Sequence, residues 1–555
     1  LKSRLRAAFF FAFSTKGGSK MFIDRLKRCF QGNAQATAEL PAFSLPEDVV
    51  KLVAEGRCNK LIGFIETACS QPTRESTLRE LRSQVETAGW GEEEITKLEA
   101  YQAYYIGQYK QSYDLAAPFV AEGRFDPDFF GIASMALFNA NQFDQAYDLL
   151  RQIKPHEHLL LANQDYQLAA ALICWSAGDR YLANKYLDVG MRSVEQGGMM
   201  TFNAFAIYWE LGDMAGYEFS ESFLDESMRA LPNVQFSLGF LALMQNDFED
   251  GLRLAEGRYG LSEAHRYVQK DLLARPRWQL GGDVSGKVVL IHGEQGLGDM
   301  IQTARFFGLV LSSAREVIVD CPNESIALLE HNFPEITFLP LNTAKMVDRP
   351  FDIWIGTLSL PYIFQVDCDR IPGRQGYLKI PADHLAYWQT RVNEVARPGR
   401  VRIGIAWSGH PGHRADRRRS IQWAWARTMI EQFPEVDFFA VQIKVPDDAP
   451  ANLHNCSEEM ATLSDTAALI EQMDLIISVD TSVVHIAGAI GKETWMMLPY
   501  RYEWRWGMEG EDNNWYDSVK VIRQPAPGAW APVLSRVFGK RLRDFIELRT
   551  GNKHA

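Results

Sequence analysis

The chain holds 555 residues, 46% of them hydrophobic, which is enough apolar content for several cores. Its 70 acidic residues outnumber 58 Lys and Arg, for a formal net charge of -12. That balance excludes a general nucleic-acid binder, because phosphate backbones are held by clustered cations.

The seven cysteines are odd in number and scattered, with no CxxC pair. They read as reduced, small buried residues of a cytoplasmic protein. Residues 1–44 form an amino-terminal extension. LKSRLRAAFFFAFS is basic and then apolar, but the run from Ala7 to Phe13 is too short to span a bilayer. The expectation is that Met21 is the true start; a weak peripheral membrane contact is the alternative, with FIDRLKRCF docking on a membrane or on its own domain.

Residues 45–275 read as a helical repeat array. The turn residues Gly107, Asn141, Gly178, Gly212 and Asn246 are separated by steps of 34, 37, 34 and 34, close to the period of a two-helix tetratricopeptide unit. Ala136 and Ala171 are placed for close contact on first helices, Ala146 and Ala183 on second helices. Tyr109, Phe143 and Phe248 are placed to plug the gaps between helices. Such units stack because one alone cannot bury its apolar face. His156 and His158 form a His-x-His pair, but no acidic or cysteine partner lies nearby, so no metal site is expected. Residues 256–286 form the junction, where Trp278 is expected to seal the array against the next domain and Gly281–Gly282 mark a turn.

Residues 276–385 and 386–555 then read as two α/β lobes. VVLIH, EVIVDC, ITFLP and FDIWIG are strands of the first lobe; VRIGIA, DFFAVQI, LIISVD and ETWMMLP are strands of the second. IQTARFFGLVLS reads as one helix, and SDTAALIEQMD as a helix capped by Ser464 or Asp465. Alternating elements of this length imply mostly parallel sheets with helices on both faces. The predicted fold class is thus α plus α/β, a helical superhelix followed by twin Rossmann-like lobes.

Three segments carry candidate chemistry. GEQGLGD (293–299) lacks the ending of a Walker phosphate loop. It reverses GxGxxG spacing while Asp320 ends the next strand, so a dinucleotide site is a rival. Asp299 is either a helix cap or a general base on an acceptor hydroxyl or amide. AWSGHPGHRADRRRSI (406–421) places Trp407, Ser408 and Gly409 at a strand end. It adds Arg414, Arg417, Arg418 and Arg419, which meet a diphosphate or form a solvated loop; Arg419–Ser420 is the favoured pair. Lys444 is expected to end the strand AVQIK and neutralise a leaving diphosphate. In ISVDTSVVHIAGAIGK (477–492), Asp480 ends a strand and Thr481 and Ser482 open a helix, a natural anion site. His485 lies one turn in. The plainer alternative makes Asp480 a cap and His485 a core residue.

Together, SGHPGH…RRRS, VQIK, DTAALIEQMDLIISVDTSVVHIAGAIGK and GEQGLGDMIQTARF resemble bacterial glycosyltransferases of the heptosyltransferase-like class. The layout is similar to proteins with tetratricopeptide repeats followed by such a domain and, more distantly, to the protein O-GlcNAc transferase group. The resemblance implies a two-lobed GT-B fold, a nucleotide-diphosphate sugar donor, no essential metal or other cofactor, and inversion at the anomeric carbon. It implies Asp299 as base and Trp407, Ser408 and Gly409 at the donor site. Arg419, Ser420 and Lys444 then lie near phosphate, with Asp480, Thr481, Ser482 and His485 at the sugar and diphosphate end. Trp504, Arg505 and Trp506 match the family's closing Trp-Arg-Trp, and Trp515–Tyr516 also fits. His410, Glu503, Asn513 and Asn514 depart from the pattern and leave base and sugar choice open. The fused array suggests a protein acceptor, such as a flagellin or surface protein. A lipopolysaccharide or other glycan acceptor, and a non-catalytic scaffold that binds a nucleotide, are the alternatives. A homo-oligomer is compatible with this reading.

Overall fold

The computed structural model describes residues 45–69, 74–121, 127–140, 142–153, 164–177, 179–192, 208, 214–260, 268, 270–294, 296–341, 350–410, 416–500, 502–526 and 528–551. The amino-terminal extension, His156, His158, Asn141, Gly178, Gly212 and Arg414 lie outside them. The chain divides into two compact units between Arg229 and Ala230.

The first unit is helical throughout its described residues. Helices such as Glu92–Tyr105 and Tyr109–Ala121, Pro127–Asn139 and Phe143–Ile153, and Gln164–Ser176 and Arg180–Arg192 follow one another across short turns. Ala136, Ala146, Ala171 and Ala183 are fully buried. Polar side chains tie neighbouring helices: Ser112 Oγ donates to the Ala100 carbonyl at 2.8 Å and Tyr147 Oη to Asp179 at 2.8 Å.

The second unit opens with one more helix pair, α1 (Pro232–Met244) and α2 (Phe248–Ala255), joined through Asn246 at φ 64°. Gly239 lets them touch, since a Cβ there would stand 2.7 Å from the Ala255 backbone nitrogen. Phe248 is buried, with its ring 6.2 Å from that of Trp515, and Asn514 donates to Asn246 at 2.8 Å. This hairpin therefore packs on the α/β part.

Two all-parallel sheets follow. The first has the order β3-β2-β1-β4, with β1 Val288–His292, β2 Glu316–Cys321, β3 Thr337–Pro340 and β4 Ile353–Gly356. The second has the order β10-β9-β8-β5-β6-β7. Its strands are β5 Arg402–Ala406, β6 Asp437–Ala440, β7 Leu453–Asn455, β8 Leu475–Val479, β9 Thr494–Leu498 and β10 Val519–Arg523. β1, β8 and β9 are buried along their whole length, as strands covered on both faces must be. Strand order reverses at β1/β4 and at β5/β8. Crevices for ligands open outside the carboxyl ends at such switch points.

Helix α3 (Leu297–Ala304) of the first lobe packs directly on helix α5 (Ser482–Ala489) of the second. Ile301 and Leu328 belong to the same buried cluster as Ala467, Ile470 and Ile486. Gly298 makes the approach possible: a Cβ there would stand 2.7 Å from His485 Cδ2.

Several expectations are corrected. IQTARFFGLVLS is two helices, α3 and a second over Phe307–Ser313, with Arg305 and Phe306 between them. Helix α4 (Leu463–Glu471) is capped by Thr462, whose hydroxyl accepts from Asp465 N while Asp465 accepts from Thr462 N. Ser464 and Asp465 lie inside the helix, because the Thr-x-x-Asp spacing closes a capping box one residue earlier. The described contacts of Trp278, expected to seal the array, lie in the first lobe. Its backbone joins Trp354, its indole donates to the Gly282 carbonyl, and its ring meets Phe364 edge-on.

The turn after β1 is fixed by a buried charge network. Glu294 accepts from Arg258 Nε and Nη2 at 2.9 and 3.0 Å and from Leu358 N at 3.1 Å. Arg258 also donates to Glu256 and Ser359. Burial opposes ionisation of Glu294, but the Arg258 guanidinium outweighs it and holds the carboxyl below its usual range. Arg258→Ala strands this buried carboxylate and should cost about 3–5 kcal/mol in urea unfolding of the second unit; a loss below about 1 kcal/mol, typical of a surface pair, would contradict the role assigned here.

Candidate active site

The carboxyl ends of β5 and β8 flank the second switch point and bring three sequence segments together. After β5, Trp407 N and Ser408 N donate to Gln442 Oε1 at 2.9 and 3.2 Å, which fixes the turn. Gly409 N donates to Ser420 Oγ at 3.0 Å, and Ser420 Oγ donates to Asp416 at 2.9 Å. Arg419 crosses to β8, donating from Nη1 to the Asp480 carbonyl at 2.9 Å. A Cβ at Gly409 would stand 2.5 Å from Arg419 Nη2, so glycine is what admits the guanidinium. Ser408, Gly409, Arg419, Ser420 and Asp480 thus form one edge.

Asp480 is not the helix cap. Thr481 caps α5, its hydroxyl accepting from Val483 N at 3.3 Å. Asp480 is buried, and burial pushes its carboxyl up to about 6; Arg505 and Arg419 pull it down while Glu503 adds to the rise. A buried carboxyl so displaced at a switch point is a candidate functional group. Ser482 is half-buried at the helix start.

Asp299 reaches the same place from the first lobe. One oxygen accepts from Gly296 N at 3.2 Å, closing the start of α3; the other meets Arg505 Nη2 at 2.5 Å. Arg505 lies in the Trp504–Trp506 turn beyond β9. Burial works against its charge, but Asp299, Glu503 and Asp480 outweigh that and hold it more firmly protonated than usual. Arg418 is also partly desolvated, which lowers its basicity, with Glu503 opposing. Three guanidiniums (Arg418, Arg419, Arg505) therefore share one cluster with four carboxylates (Asp299, Asp416, Asp480, Glu503).

Other expected site residues fall elsewhere. Lys444 does not end a strand: β6 stops at Ala440, and Lys444 lies exposed four residues later. The chain leaves the sheet because Gln442 turns back to cap the β5 end and donates to the Lys444 carbonyl at 2.6 Å. The Trp407 ring is core, 4.8 Å from that of Trp423. His485 is packed between lobes, its Nδ1 2.9 Å from Tyr516 Oη and its ring 5.3 Å from that of Trp506. Burial, with Arg505 and Arg305 nearby, lowers its basicity well below the usual range, so it is neutral at pH 7. Asp320 is fully buried and holds His292 Nδ1 at 2.7 Å and Gly293 N at 2.9 Å, which withdraws it from any ribose and removes the basis of the dinucleotide rival. Arg417's side chain lies outside the described ones.

Sequence reasoning did not place Gln442, Asp416 or Glu503 in the site. It noted Arg505 only within a motif. The signal for Arg505 was a lone cation between two tryptophans, which burial makes costly unless a carboxylate faces it.

The far end of α3 is also tied across the lobes. Arg305 Nη1 donates to the Trp515 carbonyl at 2.9 Å and to Pro372 O at 3.1 Å, and its guanidinium lies 4.6–5.2 Å from the rings of Tyr377, Tyr516 and Trp515.

No protein-family model matches the chain. It is similar to Protein FlbA of Caulobacter vibrioides, 24% identical over 345 residues, covering 57% of this chain and 56% of that protein. The chain thus spans little more than half the length of this curated relative. Solved structures it is similar to include ADP-heptose LPS heptosyltransferase II of E. coli, at 12% identity, 46% of this chain, 99% of that chain and a TM-score of 0.31. They include a family 9 glycosyl transferase of Veillonella parvula, at 12% identity, 49% and 99% coverage and a TM-score of 0.33. The dodecameric iron-containing glycosyltransferase TibC of enterotoxigenic E. coli stands at 14%, 39% and 60%, with a TM-score of 0.28. TM-scores this low leave the functional question with the residues themselves.

Asp480→Asn removes a carboxylate whose burial costs stability whenever it is ionised. Its folded value lies above the ordinary 3.8, so the native state loses stability as pH rises through about 6. The variant should therefore melt higher at pH 8, by about 1–3 kcal/mol, with the gain gone near pH 4. A gain that persists at pH 4, or none at pH 8, contradicts the assignment.

Proposed function

We propose that the chain is a glycosyltransferase that moves a sugar from a nucleotide-diphosphate donor to a protein acceptor, with inversion and without an essential metal. The observation that carries this is the cluster of Arg418, Arg419 and Arg505 with Asp416, Asp480 and Glu503 at the β5/β8 edge, with Asp299 facing it from the other lobe. Guanidinium forks match phosphoryl oxygens, and a helix start at Thr481–Ser482 adds backbone donors and a favourable dipole.

In this reading the donor's diphosphate lies along Gly409, Arg419, Ser420 and the α5 start. An acceptor O–H or N–H gives its proton to Asp299. The acceptor atom bonds to the anomeric carbon as the bond from that carbon to the diphosphate oxygen breaks, and the electron pair leaves on the diphosphate. Arginines there offset the charge that develops on the leaving group. The packed lobes limit water at the reacting carbon. The helical first unit is the natural place to hold a polypeptide acceptor, since stacked helix pairs present extended surfaces. No helix among the described residues is long and apolar enough to cross a membrane. A cytoplasmic setting, where nucleotide sugars are made, is part of the proposal.

Melting with UDP-, GDP- and ADP-sugars, with and without EDTA, should show one selective rise of a few degrees that EDTA leaves unchanged. Using that donor and an acceptor polypeptide, Asp299→Asn should lower turnover by roughly 10²–10⁴-fold while donor binding remains. Turnover within twofold of wild type removes Asp299 as base. No rise with any donor in folded protein contradicts the transferase reading.

A further inference from the structure

Resting on that reading, we propose that Arg505 is a shared cation: without donor it holds Asp299, and with donor it turns to the diphosphate, freeing Asp299 to accept the acceptor's proton. Two observations carry this independently. The first is the ion pair itself, Arg505 Nη2 to Asp299 Oδ1 at 2.5 Å, across the lobes. With Gly296 N on Oδ2, both oxygens of the proposed base already accept hydrogen bonds. Each oxygen keeps a further lone pair for an incoming proton, and withdrawing Arg505 removes the cation that competes with that proton at Oδ1.

The second is an unmet donor. The Arg505 side chain is only 9% exposed, yet its Nε–H is buried with no hydrogen-bond partner. A buried N–H left unmade is costly, so an acceptor arriving beside it is favoured. The surrounding groups are carboxylates at Asp299, Glu503 and Asp480, with Arg419 on the backbone of Asp480. Asp299 gives this guanidinium one oxygen only, and what it lacks is a pair of oxygens to meet two N–H groups at once, which a phosphoryl group supplies.

The exchange couples two events that the reaction needs in order. Donor entry recruits Arg505, and the release of Asp299 follows. The proton then passes from the acceptor heteroatom to Asp299 Oδ1, as the acceptor bonds to the anomeric carbon and the diphosphate leaves with the electron pair. Arg505 then faces the added charge on the leaving oxygen. Arg505 differs in this from Arg419, which the Asp480 carbonyl and Asp416 hold in place.

Isothermal titration of the full chain with UDP, GDP and ADP tests the exchange through a cycle of Asp299→Asn, Arg505→Gln and the double variant. If Asp299 competes with the diphosphate for Arg505, Asp299→Asn tightens nucleoside diphosphate binding by ~3–10-fold. Arg505→Gln weakens it by ~10-fold or more, and in that background Asp299→Asn gives no gain. A merely structural Arg505 predicts no tightening by Asp299→Asn. Unchanged or weaker binding in Asp299→Asn overturns the proposal while leaving the transferase reading intact. A gain of equal size in the Arg505→Gln background assigns it to general repulsion and also overturns the proposal. Should Arg505→Gln fail to fold, Arg505→Met serves as the background: it has no charge to exchange, so an identical gain there overturns the proposal equally. Wild-type protein that binds none of the three nucleotides defeats both this proposal and the functional reading beneath it.

Discussion

The second unit depends on one meeting of charges between its lobes, Asp299 against Arg505. Each group reaches that point through backbone geometry set elsewhere. Asp299 is presented because α3 starts at Gly296, directly after a turn pinned by the Glu294–Arg258 pair. Arg505 is presented by the tight Trp504–Trp506 turn, whose tryptophans are buried on either side. The α1 helix contacts that turn, and Phe248 of α2 packs on Trp515, so the last helical hairpin braces the wall from which Arg505 extends. With Arg305 bound to the Trp515 carbonyl at its other end, α3 is clamped across the lobes twice.

A low-dielectric cleft makes such charges expensive unless they are paired, and the pairing here is mixed rather than one to one. Arg505 faces three carboxylates, while Asp480 is a weaker acid than usual because burial outweighs its cationic neighbours. That state is poorly optimised for stability. In the proposed reading, an incoming diphosphate supplies the partner that Arg505 Nε lacks. Structural carboxylates of the same unit look different: Glu294 and Asp437 are both held below their ordinary range by arginines fixed on them. The contrast supports the proposed reading, in which the groups at the β5/β8 edge receive a ligand.

Much of this architecture was legible in the chain. VVLIH, LIISV and TWMML are mostly apolar runs, each with a single polar residue, and they are the fully buried strands β1, β8 and β9. Asp299, Asp480 and Arg419 could be placed because each follows a strand end or helix start, positions that local sequence defines. Lys444 was misplaced because DFFAVQIK continues the alternation of a strand, whereas Gln442 leaves the ladder to bind the neighbouring turn. That is a tertiary contact with no local signature. Trp407 and His485 carry polar handles, yet both are packed, since ring contacts with Trp423 and Tyr516 come from segments distant in sequence. The Arg505–Asp299 pair spans 206 positions, and no spacing rule reaches across such a separation. Asp320 looked like a ribose ligand for the opposite reason: its place at a strand end was right, but His292 on the adjacent strand occupies it.

The central claim is that a nucleotide diphosphate lies at the β5/β8 edge with Asp299 across from it. Crystals of the chain grown with the best-binding nucleoside diphosphate test this directly. The account predicts diphosphate density between Gly409–Arg419 and Thr481–Ser482, with Asp299 facing the terminal phosphate. Diphosphate density at the Gly293–Glu294 turn of the first lobe, or away from both sheet edges, would contradict it.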